Sequence, residues 1–269
     1  MAFNLQLYKQ VWQRLNRSKI ITPAQNEIEL VPLQVFDRLT STNTKIWELI
    51  DDQIKTPIAV IALQQTSGKG QWGHSWVSVE GGLYLSVAFD LDLDLSCNSH
   101  LVMATVWGIA KVLRYYQLPV TIKWSNDLIL DRQKLGGIKI ETRNLKNKIV
   151  QAVVGVGINW RNSVPDVGIN LQSYYQNQPS VVIDSLEELT AIASYGIISG
   201  YQYYLYMGIE QLVENYSAIL NSIGKQVQID NCPGEVIGIT QDGKLKVKMR
   251  SPGASGIMTF APGQIRLGY

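Results

Sequence analysis

The chain has 269 residues, 46% of them hydrophobic and 17% charged, with a net charge of +2. Such a composition excludes a disordered chain, and so small a charge argues against nucleic acid or an anionic membrane as the main partner. Cys97 and Cys232 stand alone and the two histidines, His74 and His100, complete no ligand set, so neither a disulfide framework nor a zinc centre is expected.

At the N-terminus, Leu5, Tyr8, Val11, Trp12 and Leu15 predict a helix with one buried stripe. Residues 1–26 also carry Lys9, Arg14, Arg17 and Lys19 and no acid, which is how an organelle transit peptide can look. No apolar run reaches the ~20 residues of a membrane span, and the cytosol is the expected compartment. "ITPAQNEIELVPLQVFDRL" reads as a loop and then an extended segment. "STNTKIWELI" reads as a helix capped by its Ser, Thr and Asn side chains, with Ile46, Trp47, Leu49 and Ile50 at helical spacing.

"IAVIALQQT" is a buried strand, followed by the glycine-rich "QQTSGKGQWGHSW" and a second strand in "GGLYLSVAFDL". "HLVMATVWGIAKVLRYYQ" is a largely apolar helix. "PVTIKW" with "DLILD", "GGIKIET" and "KIVQAVVGVGINW" are strand-like runs joined by turn material, which predicts a meander rather than βαβ crossovers. A Ser185-x-x-Glu188 capping box opens some thirty helical residues, which Gly196, Gly200 and Gly208 are expected to interrupt or kink. From about Gly224 the short runs "KQVQID", "EVIGIT", "KLKVKM", "GIMTF" and "QIRL", with an Asp242-Gly243 turn, predict a small all-β module.

Gly68-x-Gly70-x-x-Gly73 matches the dinucleotide fingerprint letter for letter and follows a strand. That fingerprint works only where a helix N-terminus receives the pyrophosphate, and the residues that follow here show no helical stripe. A P-loop would need a hydroxyl residue after Gly68-Lys69, where the chain has Gly70. Two readings remain: a surface hairpin whose glycines serve the turn, or a loop that holds an anionic, partly apolar ligand with backbone N–H groups, Lys69, Trp72 and Trp76. Further on, "TIKWSNDLILDRQKLGGIKIET" crowds Lys123, Trp124, Asn126 and Asp127 at a strand end and sets Lys134 just before Gly136-Gly137. A lysine-studded strand can be merely a solvated edge. An acid with nearby cations is also what nucleotide activation needs, to hold Mg²⁺ and to stabilise charge building on an α-phosphate.

The ordered motifs "STNT", "QQTSGKGQWGHSW", "KWSNDLIL", "KLGGIKIE" and "VVGVGINW", with a small β module behind them, resemble the biotin protein ligases from about Leu39 to the C-terminus. The resemblance implies an α+β fold of the class II synthetase type: a mixed, mostly antiparallel sheet flanked by helices, with a small C-terminal β-barrel domain. It divides the chain into an N-terminal segment (1–38), a catalytic domain (39–222) and a C-terminal domain (223–269). It implies that biotin and Mg·ATP give biotinyl-5′-adenylate and pyrophosphate, and that a lysine of a biotin carboxyl carrier protein, as in acetyl-CoA carboxylase, then takes the biotin and releases AMP. No redox cofactor, nucleic acid or membrane enters this reading, and a homodimer is left open.

Carried over by motif, Ser41, Thr42, Asn43 and Gln65 hold biotin, together with Gly68, Gly70, Gln71, Lys134 and Gly137. Lys69, Gln71, Trp76, Asn126, Asp127, Lys134 and Asn159 hold ATP and the adenylate, Asp127 also being the Mg²⁺ ligand. Lys134 and Lys69 are the catalytic cations. Gly68-Lys69-Gly70-Gln71 departs from the family's Gly-Arg-Gly-Arg, losing a bidentate fork at one position and a charge at the other. Too few residues precede "STNT" for the helix-turn-helix domain of the dual-function members, so repression is not expected. The alternatives are a lipoate-type ligase on the same kind of fold and a non-catalytic binding module.

Overall fold

The computed structural model describes residues 3–21, 28–177, 182–251, 254–265 and 267–268. Residues 22–27, within the stretch expected to open as a loop, and Arg266 within "QIRL" lie outside them.

Seven strands form the main sheet, in the order β1 (Leu33–Leu39), β2 (Ile58–Gln65), β3 (Leu83–Asp94), β7 (Lys148–Ile158), β6 (Gln133–Leu145), β5 (Asp127–Leu130) and β4 (Thr121–Lys123). Only β1 and β2 run parallel; every other pairing is antiparallel, and β4 to β7 are the expected meander. Period-two alternation in the strands supplies two apolar faces. Ile58, Val60, Ala88 and Val153 meet Ile46 and Ile50 of α2 (Thr42–Asp51) on one face. Ala59, Ile61, Leu85, Val87 and Val154 join the main core with α3 (Asn98–Tyr115) and α5 (Leu186–Ala218) on the other. A short helix, α4 (Leu171–Asn177), follows β7.

The N-terminal helix, α1 (Leu5–Ser18), is capped by Asn4, whose Oδ1 accepts from the amides of Gln6 and Leu7. It buries Tyr8, Val11, Trp12 and Leu15, with Trp12 edge-on to Tyr195 of α5 at 5.8 Å; Leu5, expected in the stripe, is 45% exposed. Of the three glycines expected to break α5, only Gly208 does so, at φ +80°. Gly196 and Gly200 stay helical because they face Gly108 of α3: a Cβ on Gly108 would lie 2.0 Å from the Gly196 carbonyl oxygen. These glycines bring two backbones together instead of bending one.

The C-terminal module is a second sheet, antiparallel throughout, in the order β11 (Ala254–Phe260), β10 (Leu245–Ser251), β9 (Cys232–Ile239) and β8 (Gln226–Ile229). "QIRL" adds no strand to it; Ile265 makes an isolated bridge to Pro262. The module is tied to the main sheet where Trp124 Nε1 donates to the Gly243 carbonyl at 2.9 Å. No helix among the described residues is long and apolar enough to cross a membrane.

Candidate active site

The chain turns from β1 into α2 through Ser41, Thr42 and Asn43, which are 3–5% exposed. Ser41 occupies the cap position without a side-chain capping bond, so its hydroxyl does not serve the helix as expected. Gln65 at the end of β2 accepts from Thr42 N at 2.8 Å and from Thr42 Oγ1 at 3.2 Å, and donates to Ser78 Oγ at 2.8 Å. Ser86 Oγ lies 2.7 Å from Thr42 Oγ1 and 2.6 Å from Asn43 Oδ1. The turn is therefore fixed by a buried polar chain whose members restrain one another. Asn43 Nδ2 is buried and faces Glu141, whose carboxyl it helps to hold down.

The glycine-rich segment is a tight hairpin. Gly70 N donates to the His74 carbonyl at 2.7 Å, Trp76 N to the Gly68 carbonyl at 2.8 Å, and Lys69 bridges Ser75. Trp76 comes down on Gly157 of β7, where a Cβ would stand 2.5 Å from the indole, and its Nε1 is buried without a partner. Lys69 Nζ reaches Thr44 Oγ1 at 3.3 Å and Gln71 Nε2 the Ile138 carbonyl at 3.4 Å.

Opposite the hairpin, Lys134 Nζ pairs with Asp127 Oδ1 at 2.7 Å and stands 5.3 Å from the centre of the Trp76 ring. Gly137, opposite Asp127 in the ladder, leaves the pair its space: a Cβ there would lie 3.2 Å from Asp127 Oδ1 and 3.6 Å from Lys134 Nζ. Asn126 Nδ2 donates to the Ile138 carbonyl at 2.7 Å. Lys123, paired with Asp127 across β4 and β5, is 7% exposed. Burial pushes its ammonium down to about 8, with Lys134 and Lys225 acting in the same direction and Asp127 against it. Lys139 pairs with Glu141 at 3.1 Å. Burial alone would raise the Glu141 carboxyl, but hydrogen bonds from Lys139 and Trp47 outweigh it and hold the group below its usual range.

These elements line a cleft bounded by Ser41, Thr42, Asn43, Gln65, Lys69, Gly70, Gln71, Trp76, Asn126, Asp127, Lys134 and Gly137. Twelve of the fourteen residues named from the sequence thus come together. Gly68 is not among them: it is buried behind the hairpin, where a Cβ would meet Ser78 Oγ and the Trp76 carbonyl at 2.4 Å. Asn159 is also elsewhere. It is 7% exposed, donates to the Lys134 carbonyl at 3.3 Å and accepts from Asn162, so it braces the Lys134 backbone instead of facing the cleft. The sequence reading missed Ser86, Lys139, Gly155 and Gly157. Ser86 had a signal, a lone hydroxyl inside "LYLSVAF"; the two glycines had one in "GVG", whose alternation puts both on one face.

The cleft has two ends. Gly155 lies against Asn43, where a Cβ would be 2.3 Å from Oδ1, and pairs with Lys139; Gly157 lies against Trp76 and pairs with Gly137. Two residues of strand separate them, about 7 Å. One end offers buried hydroxyls and amides, with the Lys139–Glu141 pair alongside, and the other the Lys134–Asp127 pair and an indole face.

Fold and cleft together define a mixed sheet flanked by helices, with a polar cleft between the glycine-rich hairpin and β5 to β7. Residues 35–159, a little under half of the chain, match the model of the Biotin/lipoate A/B protein ligase family. The chain's relatives include the Bifunctional ligase/repressor BirA of Escherichia coli (strain K12), 26% identical over 85% of this chain and 70% of that protein. The protein of the same name from Bacillus subtilis (strain 168) is 28% identical over 57% of this chain and 49% of that protein, so the chain spans about half of that relative's length. Among solved structures, the biotin protein ligase from Aquifex aeolicus in complex with biotin and ATP shares the fold, with a TM-score of 0.65 and 19% identity over 86% of this chain and 100% of that one.

Proposed function

We propose that this chain is an ATP-dependent biotin protein ligase, which activates biotin as its adenylate and passes it to a lysine of a carboxyl carrier protein. What carries the reading is the two-ended cleft, with hydroxyls and amides at Ser41, Thr42 and Asn43 and the ion pair of Lys134 and Asp127 about 7 Å along the same strands. The E. coli and B. subtilis relatives named as ligases support it.

In this reading the hydroxyl and amide end takes the biotin ring system, whose polar edge needs a few fixed donors and acceptors. Ser41, Thr42 and Asn43 line that end, and the Gln65–Thr42–Ser86 chain fixes them in place. Lys134 places its ammonium where the biotin carboxylate and the α-phosphate meet, and so stabilises the charge that builds as the P–O bond forms and pyrophosphate departs. Asp127 holds that ammonium before substrate arrives, which spares reorganisation at the reaction step. Trp76 covers the site beside Lys134, and the hairpin excludes water from an anhydride that water would hydrolyse.

Asp127 is the carboxylate among the cleft-lining residues, which fits Mg²⁺ held by one side chain together with phosphate oxygens and water. Bound there, the ion would neutralise charge on the departing pyrophosphate.

The test is incubation with biotin, Mg·ATP and a carrier domain, read by intact mass and pyrophosphate release, with lipoate in parallel. A gain of one biotin on the carrier lysine is expected, and Lys134→Ala should slow adenylate formation by at least ~10²-fold. Transfer of lipoate but not biotin, or a Lys134→Ala protein as active as the parent, would overturn the reading.

A further inference from the structure

One aromatic residue of the hairpin stays outside the cleft. Trp72, at the tip, is 69% exposed and is not among the cleft-lining residues, unlike its neighbour Gln71. Its backbone is left-handed (φ +55°, ψ +32°), a conformation that costs a tryptophan and that persists only where surroundings hold it. What meets the indole belongs to the C-terminal module. Gly263 lies so close that a Cβ there would be 3.1 Å from Cε2 and Cζ2 of the ring.

This contact is made on a hydrogen-bonded turn. Gly263 sits at φ +90° in a turn closed by its own hydrogen bonds, Ala261 N to Gln264 Oε1 at 2.6 Å and Gln264 N to the Ala261 carbonyl at 3.1 Å. Below the indole, an apolar hollow lined by Val102, Met103, Trp124 and Pro262 separates the hairpin from the rest of the module. On the far side of the hollow, the Trp124 to Gly243 hydrogen bond fixes the module to the main sheet. The hairpin tip and the module therefore face each other across a gap that the Trp72 indole spans to reach Gly263, next to the residue, Gln71, where the loop carries no charge.

We propose that Trp72 is a positioning residue that latches the hairpin to the C-terminal module, so that the adenylate is retained by an apolar contact between the two sheets rather than by charge within the loop. The inference rests on the ligase reading. It makes the C-terminal module part of the lid mechanism, through a seat that holds no substrate atom.

The experiment compares full-length protein with Trp72→Ala, Gln264→Ala and the double variant. Wild type is first shown to release pyrophosphate from biotin and Mg·ATP; no release at this step sinks the ligase reading, independently of the latch. The rate of adenylate escape is then measured by filtration with labelled biotin, and the on-enzyme formation rate by single turnover. Trp72→Ala is expected to form adenylate within about three-fold of wild type and to lose it roughly ten-fold faster, with matching labelling of a bystander protein. Gln264→Ala, which loosens only the seat, should speed escape several-fold, and the double variant should be no faster than Trp72→Ala, since both act on one contact. Wild-type retention by Trp72→Ala, or multiplying effects in the double variant, would overturn the proposal. Were Trp72→Ala not to fold, wild-type retention by Gln264→Ala would overturn it equally.

Discussion

Lys134 is held from two directions at once, by the Asp127 carboxylate and by the bracing of its own backbone through Asn159. Close by, the Lys123 residue is 7% exposed, and burial, with Lys134 adding to it, weakens its hold on its proton. Its pKa near 8 in the fold, against 10.5 when free, means that below pH 8 both states hold the proton and the fold bears the full penalty. Between pH 8 and 10.5 the unfolded chain binds more protons than the folded one, so stability rises with pH across that window. Lys123→Met should therefore be more stable than wild type at pH 7, by up to roughly 3 kcal/mol. That advantage should shrink as the pH approaches 10.5, as read by chemical denaturation at each pH; a constant difference would show that Lys123 pays no desolvation cost. At this scale the chain order was informative: "STNT", "KWSND" and "KLGG" named residues that meet in space. That Gly68 and Asn159 stand outside the cleft lining was not legible, because a one-dimensional motif does not say which way its members face.

At the scale of elements, the glycines divide by what they touch. Gly108 and Gly196 allow α3 and α5 to cross with backbones in contact, so Gly108→Ala forces a methyl against the Gly196 carbonyl. Overpacking of this kind costs about 1–3 kcal/mol, a fall of several degrees in melting temperature, while adenylate formation at 20 °C should persist because the crossing lies on the sheet face opposite α2. A melting temperature unchanged to within a degree would mean that the helices separate freely. Strand positions and the helix periodicities of α1, α3 and α5 were readable because burial imposes period two or 3.6 on the sequence. Whether a glycine kinks a helix or lets another helix approach was not readable, since Gly196 and Gly208 look alike until the partner at Gly108 is known.

For the molecule as a whole, the change of texture at Gly224 marks a second sheet but not a second core. Val236, Ile239, Leu245 and Val247 of the C-terminal module belong to the same buried cluster as Met103, Trp124 and the main sheet. Calorimetry should accordingly show one cooperative transition, with the module and the main sheet melting together; two resolved transitions would show that the modules are energetically independent. The sequence by itself determined the succession of elements, the division in texture and nearly all the groups gathered in the cleft, because hydrophobic period, turn residues and motif spacing are local properties of a chain. The tertiary structure alone decided that Lys134 pairs with Asp127 at 2.7 Å in the cleft while Lys123 is buried close by, that the two ends of the cleft stand two strand residues apart, and that the hairpin tip rests on Gly263 nearly two hundred residues away. Those facts depend on strand register and on contacts between distant segments, which the packing of the whole chain fixes and no local pattern encodes.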